Sequence, residues 1–126
     1  MTFRRRERGA IALESVIIWP TVILALVAVM QGALWFHARN VALGAAQEGA
    51  RAASAESRGD GAARAASFIA DAGGTSVMTV KSVTQSDDAT TTTVTVTGRA
   101  PSLVPGLSGP QVRQSSTAPL KGWTTR

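Results

Sequence analysis

The sequence predicts an α+β fold. A long N-terminal transmembrane helix extends into an extracytoplasmic helix, followed by a short helix and a small antiparallel β-sheet. Three observations predict it. A charge-free run of 24 residues, Ser15 to Ala38, follows a short basic leader. An alanine-rich, proline-free stretch from Ala38 to about Arg58 continues the helical pattern. Beyond it, segments rich in Val and Thr alternate with Gly, Pro and Asp, the punctuation of strands and turns.

The leader is Met1-Thr-Phe-Arg-Arg-Arg-Glu-Arg-Gly9. Arg4, Arg5, Arg6 and Arg8 against Glu7 give it +3 of the chain's net +5. Basic flanks of membrane helices stay cytoplasmic, so residues 1–9 are expected inside and the C-terminal part outside. The high basic balance therefore reports orientation rather than affinity for nucleic acid.

The charge-free run is long enough for a hydrocarbon core that takes about 20 helical residues. Trp19 lies near one end, and Trp35 with Phe36 near the other, the positions of interfacial aromatic belts. Pro20 removes one backbone donor near the start, which membrane helices tolerate. A cleaved secretory signal has a shorter core that stops at a small-x-small site; here the run is longer and continues as helix. These readings assign residues 10–38 to a transmembrane helix and 39–126 to an extracytoplasmic domain.

In the continuation, small residues recur four apart at Ala42, Ala46 and Ala50, and at Ala45, Gly49 and Ala53. Both rows lie on one side of the helix, where another helix can approach closely. A general alanine bias produces the same rows. Gln47 and Glu48 with Arg51 form candidate polar pairs on the other side. Gly59-Asp-Gly61 breaks the pattern, and Ala62 to Ala72 reads as a second helix anchored by Phe68 and Ile69. Ser76 to Val83 reads as a strand, Gln85 to Ala89 as a turn, and Thr91 to Thr97 as a half-buried strand alternating Val with Thr. Leu103, Val104 and Leu107, in the Pro101 to Pro110 loop, are expected to pack back on the sheet. Gln111 to Ala118 is a candidate third strand, and Lys121 to Arg126 a frayed tail.

Catalysis has little to work with. The one histidine, His37, sits at the end of the apolar run, as an interfacial residue does. With no cysteine, a transition-metal site lacks ligands, and Asp87-Asp88 alone is a poor set for a hard cation. No phosphate-binding glycine loop and no basic stripe interleaved with aromatics is present. The sequence thus predicts a non-enzyme with no cofactor, no metal, no nucleic acid and no small-molecule substrate.

One carboxylate, Glu14, stands at the head of the apolar run, where it is expensive. Cleavage after Gly9 creates an ammonium at Ala10, four residues before it, on the same helical face. The two charges can neutralise one another, and between neighbouring helices such a pair can set a stagger. The plain alternative is a glutamate that snorkels to cytoplasmic headgroups beside the arginines.

This leader, Gly9, Glu14 and apolar-run arrangement resembles the class III signal of type IV pilins, which a prepilin peptidase cleaves after the glycine. Gly9-Ala-Ile-Ala-Leu-Glu14, Pro20, and above all Ala45-Ala-Gln-Glu-Gly-Ala-Arg-Ala-Ala53 resemble the TadE-like pseudopilins of tight-adherence (Flp, type IVb) pili. The resemblance implies cleavage between Gly9 and Ala10, an assembly charge pair at Glu14, and a pilin-like domain over 39–126. It implies a membrane-held minor pilin with a prepilin peptidase, other pilins and an assembly platform as partners. Later incorporation into an extracellular pilus is part of the same expectation. Ser15, Gln31 and the end Pro119-Leu-Lys-Gly-Trp123 depart from the residues common in such chains, respectively an aromatic, a second acid and a C-terminal acid. Two other classes fit the same segments: an uncleaved single-pass scaffold, and a secreted binding domain whose helix is a signal.

Overall fold

A computed structural model describes residues 3–55 and 58–121 of the chain. The side chains of Arg4, Arg5 and Arg6, residues 56–57, and the tail from Gly122 on with Trp123 lie outside the described residues. The elements are α1 (Phe3–Ser54), α2 (Gly61–Asp71), a 3-10 turn (Gly74–Ser76), β1 (Thr79–Asp87), β2 (Thr91–Arg99) and β3 (Gln111–Pro119). The fold is α+β. It divides into two compact units, Met1–Gly32 and Ala33–Arg126.

The first unit is a single helical stretch. Helix α1 runs through Gly9 and Pro20 without interruption. Most of its large apolar residues, among them Ile11, Leu13, Ile17, Leu24, Val29 and Met30, are exposed. Such a surface is stable in lipid and costly in water. The hydroxyls of Ser15 and Thr21 donate back to the carbonyls of Ile11 (2.9 Å) and Ile17 (2.7 Å), so neither polar group faces an apolar medium unpaired.

In the second unit, the later part of α1 and helix α2 lie on one face of a three-stranded antiparallel sheet of order β1-β2-β3. Helix α2 starts where Asp60 caps it, its carboxylate accepting from the Ala63 amide at 3.0 Å. Ile69 is buried in the core and Phe68 packs against it. Strand β2 is central. Its Thr92, Val94, Val96 and Gly98 point into the core, and Thr91, Thr93, Thr95 and Thr97 alternate on the outer face. Met78, Ala100 and Val112 complete the core around the alanines of α1.

Strand β3 is tied to α1 at both ends. The Trp35 indole N–H donates to the Gln111 carbonyl at 3.3 Å, and the Lys121 amide donates to the Ser54 carbonyl at 3.4 Å. The 19 helical steps from Trp35 to Ser54 rise roughly 28 Å, and the 10 strand steps from Gln111 to Lys121 span about 33 Å, so the two run side by side in the same direction.

Two expectations need correction. The first strand begins later and ends later than Ser76 to Val83. Gly74–Ser76 is a 3-10 turn, and Gln85, Ser86 and Asp87 are strand rather than turn. Gln85 is held there because its Oε1 accepts from the Gly61 amide at 2.8 Å. Asp87 is held by the hydroxyl of Thr92, which donates to it across the hairpin. The second correction concerns Leu103, Val104 and Leu107, which stay outside the core: the first two are 40% exposed and Leu107 is 65% exposed. The ladder continues past β2 and β3 through the Ala100 amide to the Pro110 carbonyl at 3.0 Å, and this closure turns the loop away from the sheet face.

Candidate functional site

Two segments of α1 carry the features singled out above. The first is Gly9, Ala10 and Glu14. All three are helical and exposed. A methyl group built on Gly9 meets nothing within 4 Å, so packing within this chain does not require glycine there. Glycine inside a helix costs about 1 kcal/mol relative to alanine, and it lowers the cost of local unwinding by the same amount. Ala10 and Glu14 are one helical turn apart, rising about 6 Å on a common face. The Glu14 carboxylate has no hydrogen bond or ion pair among the described residues.

The second segment is Ala42, Ala45, Ala46, Gly49, Ala50 and Ala53. All are buried. Their neighbours are α2 and the sheet of the same chain. A Cβ on Gly49 would lie 2.5 Å from the Gly61 carbonyl oxygen and 3.1 Å from both Ala65 and Val94. A Cβ on Gly61 would in turn lie 2.6 Å from the Gly49 carbonyl oxygen. The two helices therefore cross backbone to backbone at this glycine pair, and only glycine fits on either side. Flanking that crossing, Glu48 receives Arg64 of α2 at 3.2 Å and Arg51 at 3.7 Å.

Sequence reading missed the Gly61 contact, because Gly59-Asp-Gly61 looked only like a break. The signal was present as an Asp cap directly before a glycine that opens a helix. It also read Trp35 as a belt residue. The ring packs against the core, donates to Gln111, and lies 5.8 Å from the Arg39 guanidinium carbon. His37 is exposed. Of the acidic turn pair, Asp87 accepts from Gln85 at 3.0 and 3.1 Å as well as from Thr92. The Thr92 hydroxyl and then Gln85 hold its carboxyl below the usual range; partial desolvation opposes them, and the charge of Arg58 adds the least. The described residues contain no group of three or more His, Asp or Glu side chains placed to hold a metal.

Residues 9–51 match the model of the TadE-like protein family. The match covers the first segment and all of the second except Ala53. No curated protein and no solved structure gives a significant match.

Proposed function

The chain belongs to the TadE-like family through residues 9–51, and from that premise we propose that it is a minor pilin or pseudopilin of a tight-adherence pilus. A TadE-like chain is a pilin-type protein, and this one has a helix long and apolar enough to cross a membrane. In the proposed sequence of events the chain first inserts with its basic leader on the cytoplasmic side. A prepilin peptidase then hydrolyses the Gly9–Ala10 peptide bond. The carboxylate leaves with the leader, and the new ammonium stays on Ala10, one turn from Glu14.

The observation that carries this reading is the pairing of two unfavourable residues that nothing among the described residues explains. Gly9 weakens the helix yet fills no tight space, and Glu14 places a charge in an apolar stretch yet has no partner among the described residues. A peptidase that unwinds the helix at its weakest point uses the first. An ammonium on a neighbouring subunit, or on Ala10 itself, uses the second. Assembly then proceeds by lateral packing of the exposed apolar faces of α1, since Ala42 to Ala53 are already covered by this chain's own α2 and sheet.

One observation favours a second reading. Helix α1 passes through Gly9 unbroken, as it does in a single-pass scaffold that is never cleaved. Intact mass and N-terminal sequencing of membrane-extracted protein, made with and without the peptidase, separate the two. A new terminus at Ala10 that depends on the peptidase is the expected result. A terminus at Met1 or Thr2 under both conditions overturns the pilin reading and leaves the scaffold.

A further inference from the structure

The loop between β2 and β3 groups three exposed large apolar side chains. Val104 is 40% exposed and Leu107 is 65% exposed, with Leu103 beside them. The loop is nevertheless built. The Ala100 amide donates to the Pro110 carbonyl at 3.0 Å, and the Arg99 guanidinium donates to the Gly109 carbonyl at 3.1 Å. A Cβ on Gly109 would lie 1.7 Å from the Ala100 carbonyl oxygen, so the neck of the loop closes only with glycine. Inside it, the Leu107 amide donates to the Val104 carbonyl at 3.3 Å, and the Ser102 hydroxyl bonds Val104 at 3.2 Å. Apolar side chains grouped on one ordered loop are a candidate contact surface.

Its place in the second unit says what. The neck ends at Gln111, whose carbonyl receives the Trp35 indole. Trp35 is four residues before Arg39, the first charge after the apolar run, so it stands about 6 Å nearer the apolar side along the helix. The loop therefore leaves the sheet at the Trp35 end, the end from which the chain leads back into the apolar stretch. Cations gather at that same end. Arg39, Lys81, Arg99 and Arg113 are exposed there, with Asp71 at the end of α2 as the acidic residue. At the opposite end the described charges balance, with Glu48, Asp60, Asp87 and Asp88 against Arg51, Arg58, Arg64 and Lys121.

We propose that the loop of residues 101–109 is a second membrane contact: Val104 and Leu107 enter the headgroup layer of the bilayer that α1 crosses, drawn there by anionic lipid facing the four cations. A shallow apolar insertion backed by basic residues is how interfacial elements hold a membrane surface. The proposal rests on the membrane-anchored reading of α1. Its consequence is that the domain is held against the bilayer at two points, α1 and the loop, before assembly, and must release the loop to leave the membrane.

The chain has no cysteine, so single cysteines can be labelled uniquely. The full chain is reconstituted into phosphatidylcholine vesicles with and without phosphatidylglycerol. An environment-sensitive fluorophore is placed at Ser108→Cys beside the intact Leu107, at Asp88→Cys on the far turn, or at Leu26→Cys in the apolar run. Quenching by lipids carrying a shallow or a deep nitroxide is then read. The expected result is shallow-nitroxide quenching at residue 108 at least about twofold above that at residue 88, weaker without anionic lipid and abolished by Leu107→Asp. Quenching at residue 26 without quenching at 108 overturns the loop proposal and leaves the anchor standing. Absence of quenching at residue 26 overturns the anchored reading and the proposal with it. A signal at 108 that disappears when the lipid-to-protein ratio is raised shows that it depends on contact between copies and also overturns the proposal.

Discussion

The indole N–H of Trp35 reaches the carbonyl oxygen of Gln111 at 3.3 Å, joining the helix to the first residue of the last strand. The bond lies beside the core, with the ring packed against it. Trp35→Phe keeps most of the packing and removes the donor. It is expected to lower the stability of the second unit by about 0.5–1.5 kcal/mol. Denaturant unfolding of the full chain in detergent micelles measures this, and hydrogen exchange at the Val112 amide should rise with it. An unchanged midpoint and unchanged exchange would show that the bond contributes nothing.

The Gly49 and Gly61 crossing makes a second prediction. Gly49→Val places carbon atoms against the Gly61 carbonyl and Val94, and should cost about 1–3 kcal/mol or more as the helices are forced apart. Gly32→Ala is the control: a Cβ there meets nothing within 4 Å, so the change is neutral or gains up to about 1 kcal/mol of helix propensity. Equal effects at the two positions would disprove the close crossing.

Asp87 fixes the sign of an acid response. Its carboxyl is held below its ordinary value of 3.8 by Thr92 and Gln85, so the ionised form is the one the fold favours. A depressed pKa contributes stability that is fully present above the unfolded value and lost as pH falls through the lower folded value. Between neutral pH and about pH 5 the unfolding midpoint should therefore hold steady as far as this group is concerned, then fall below pH 4. Asp87→Ala should flatten that acid limb and lower the midpoint at neutral pH, because the buried Thr92 hydroxyl loses its acceptor. The measurement is a thermal melt series from pH 7 to about pH 2.5, spanning the window named above.

Glu14 separates folding from assembly. The side chain is exposed and is not among the core residues, so Glu14→Ala should leave the unfolding free energy of the second unit within about 0.5 kcal/mol of wild type. If the proposed charge pair operates, the same variant is still cleaved at Ala10 but is depleted from sheared pili. Normal incorporation of the variant would remove the charge pair from the mechanism.

Much of the architecture was legible because its signals are periodic. The apolar run, the alanine rows, the Val–Thr alternation of β2 and the helix around Phe68 and Ile69 all repeat at the spacing of the element they form. Strand β1 was harder. Gln85, Ser86 and Asp87 have turn chemistry, and only the positions of Gly61 and Thr92 make strand residues of them. The loop leucines were misplaced for a related reason. Hydrophobicity predicts burial, but the Ala100–Pro110 bond, which no local pattern announces, sends the loop past the end of the sheet. Gly9, Ala10 and Glu14 stand out in sequence by their spacing, and the structure keeps all three on one continuous helix. The small-residue face could be seen but not its cover, since alanine rows accept any close neighbour, and here the neighbour comes from residues 61–112 of the same chain.

The two ties on β3 also set an order of events during synthesis. Trp35 is 76 residues ahead of Gln111, and Ser54 must wait for Lys121. At about 5–20 residues per second the indole is made roughly 4–15 s before its acceptor exists. Through that interval the alanine face of α1 has no finished sheet to cover it, and the last strand to be translated is the one that closes both ends. A ribosome that stops before Gly61 therefore releases a helix with its small-residue face open, whereas one that stops just short of Gln111 has made the residues that meet Gly49 and lacks only the strand that ties both ends.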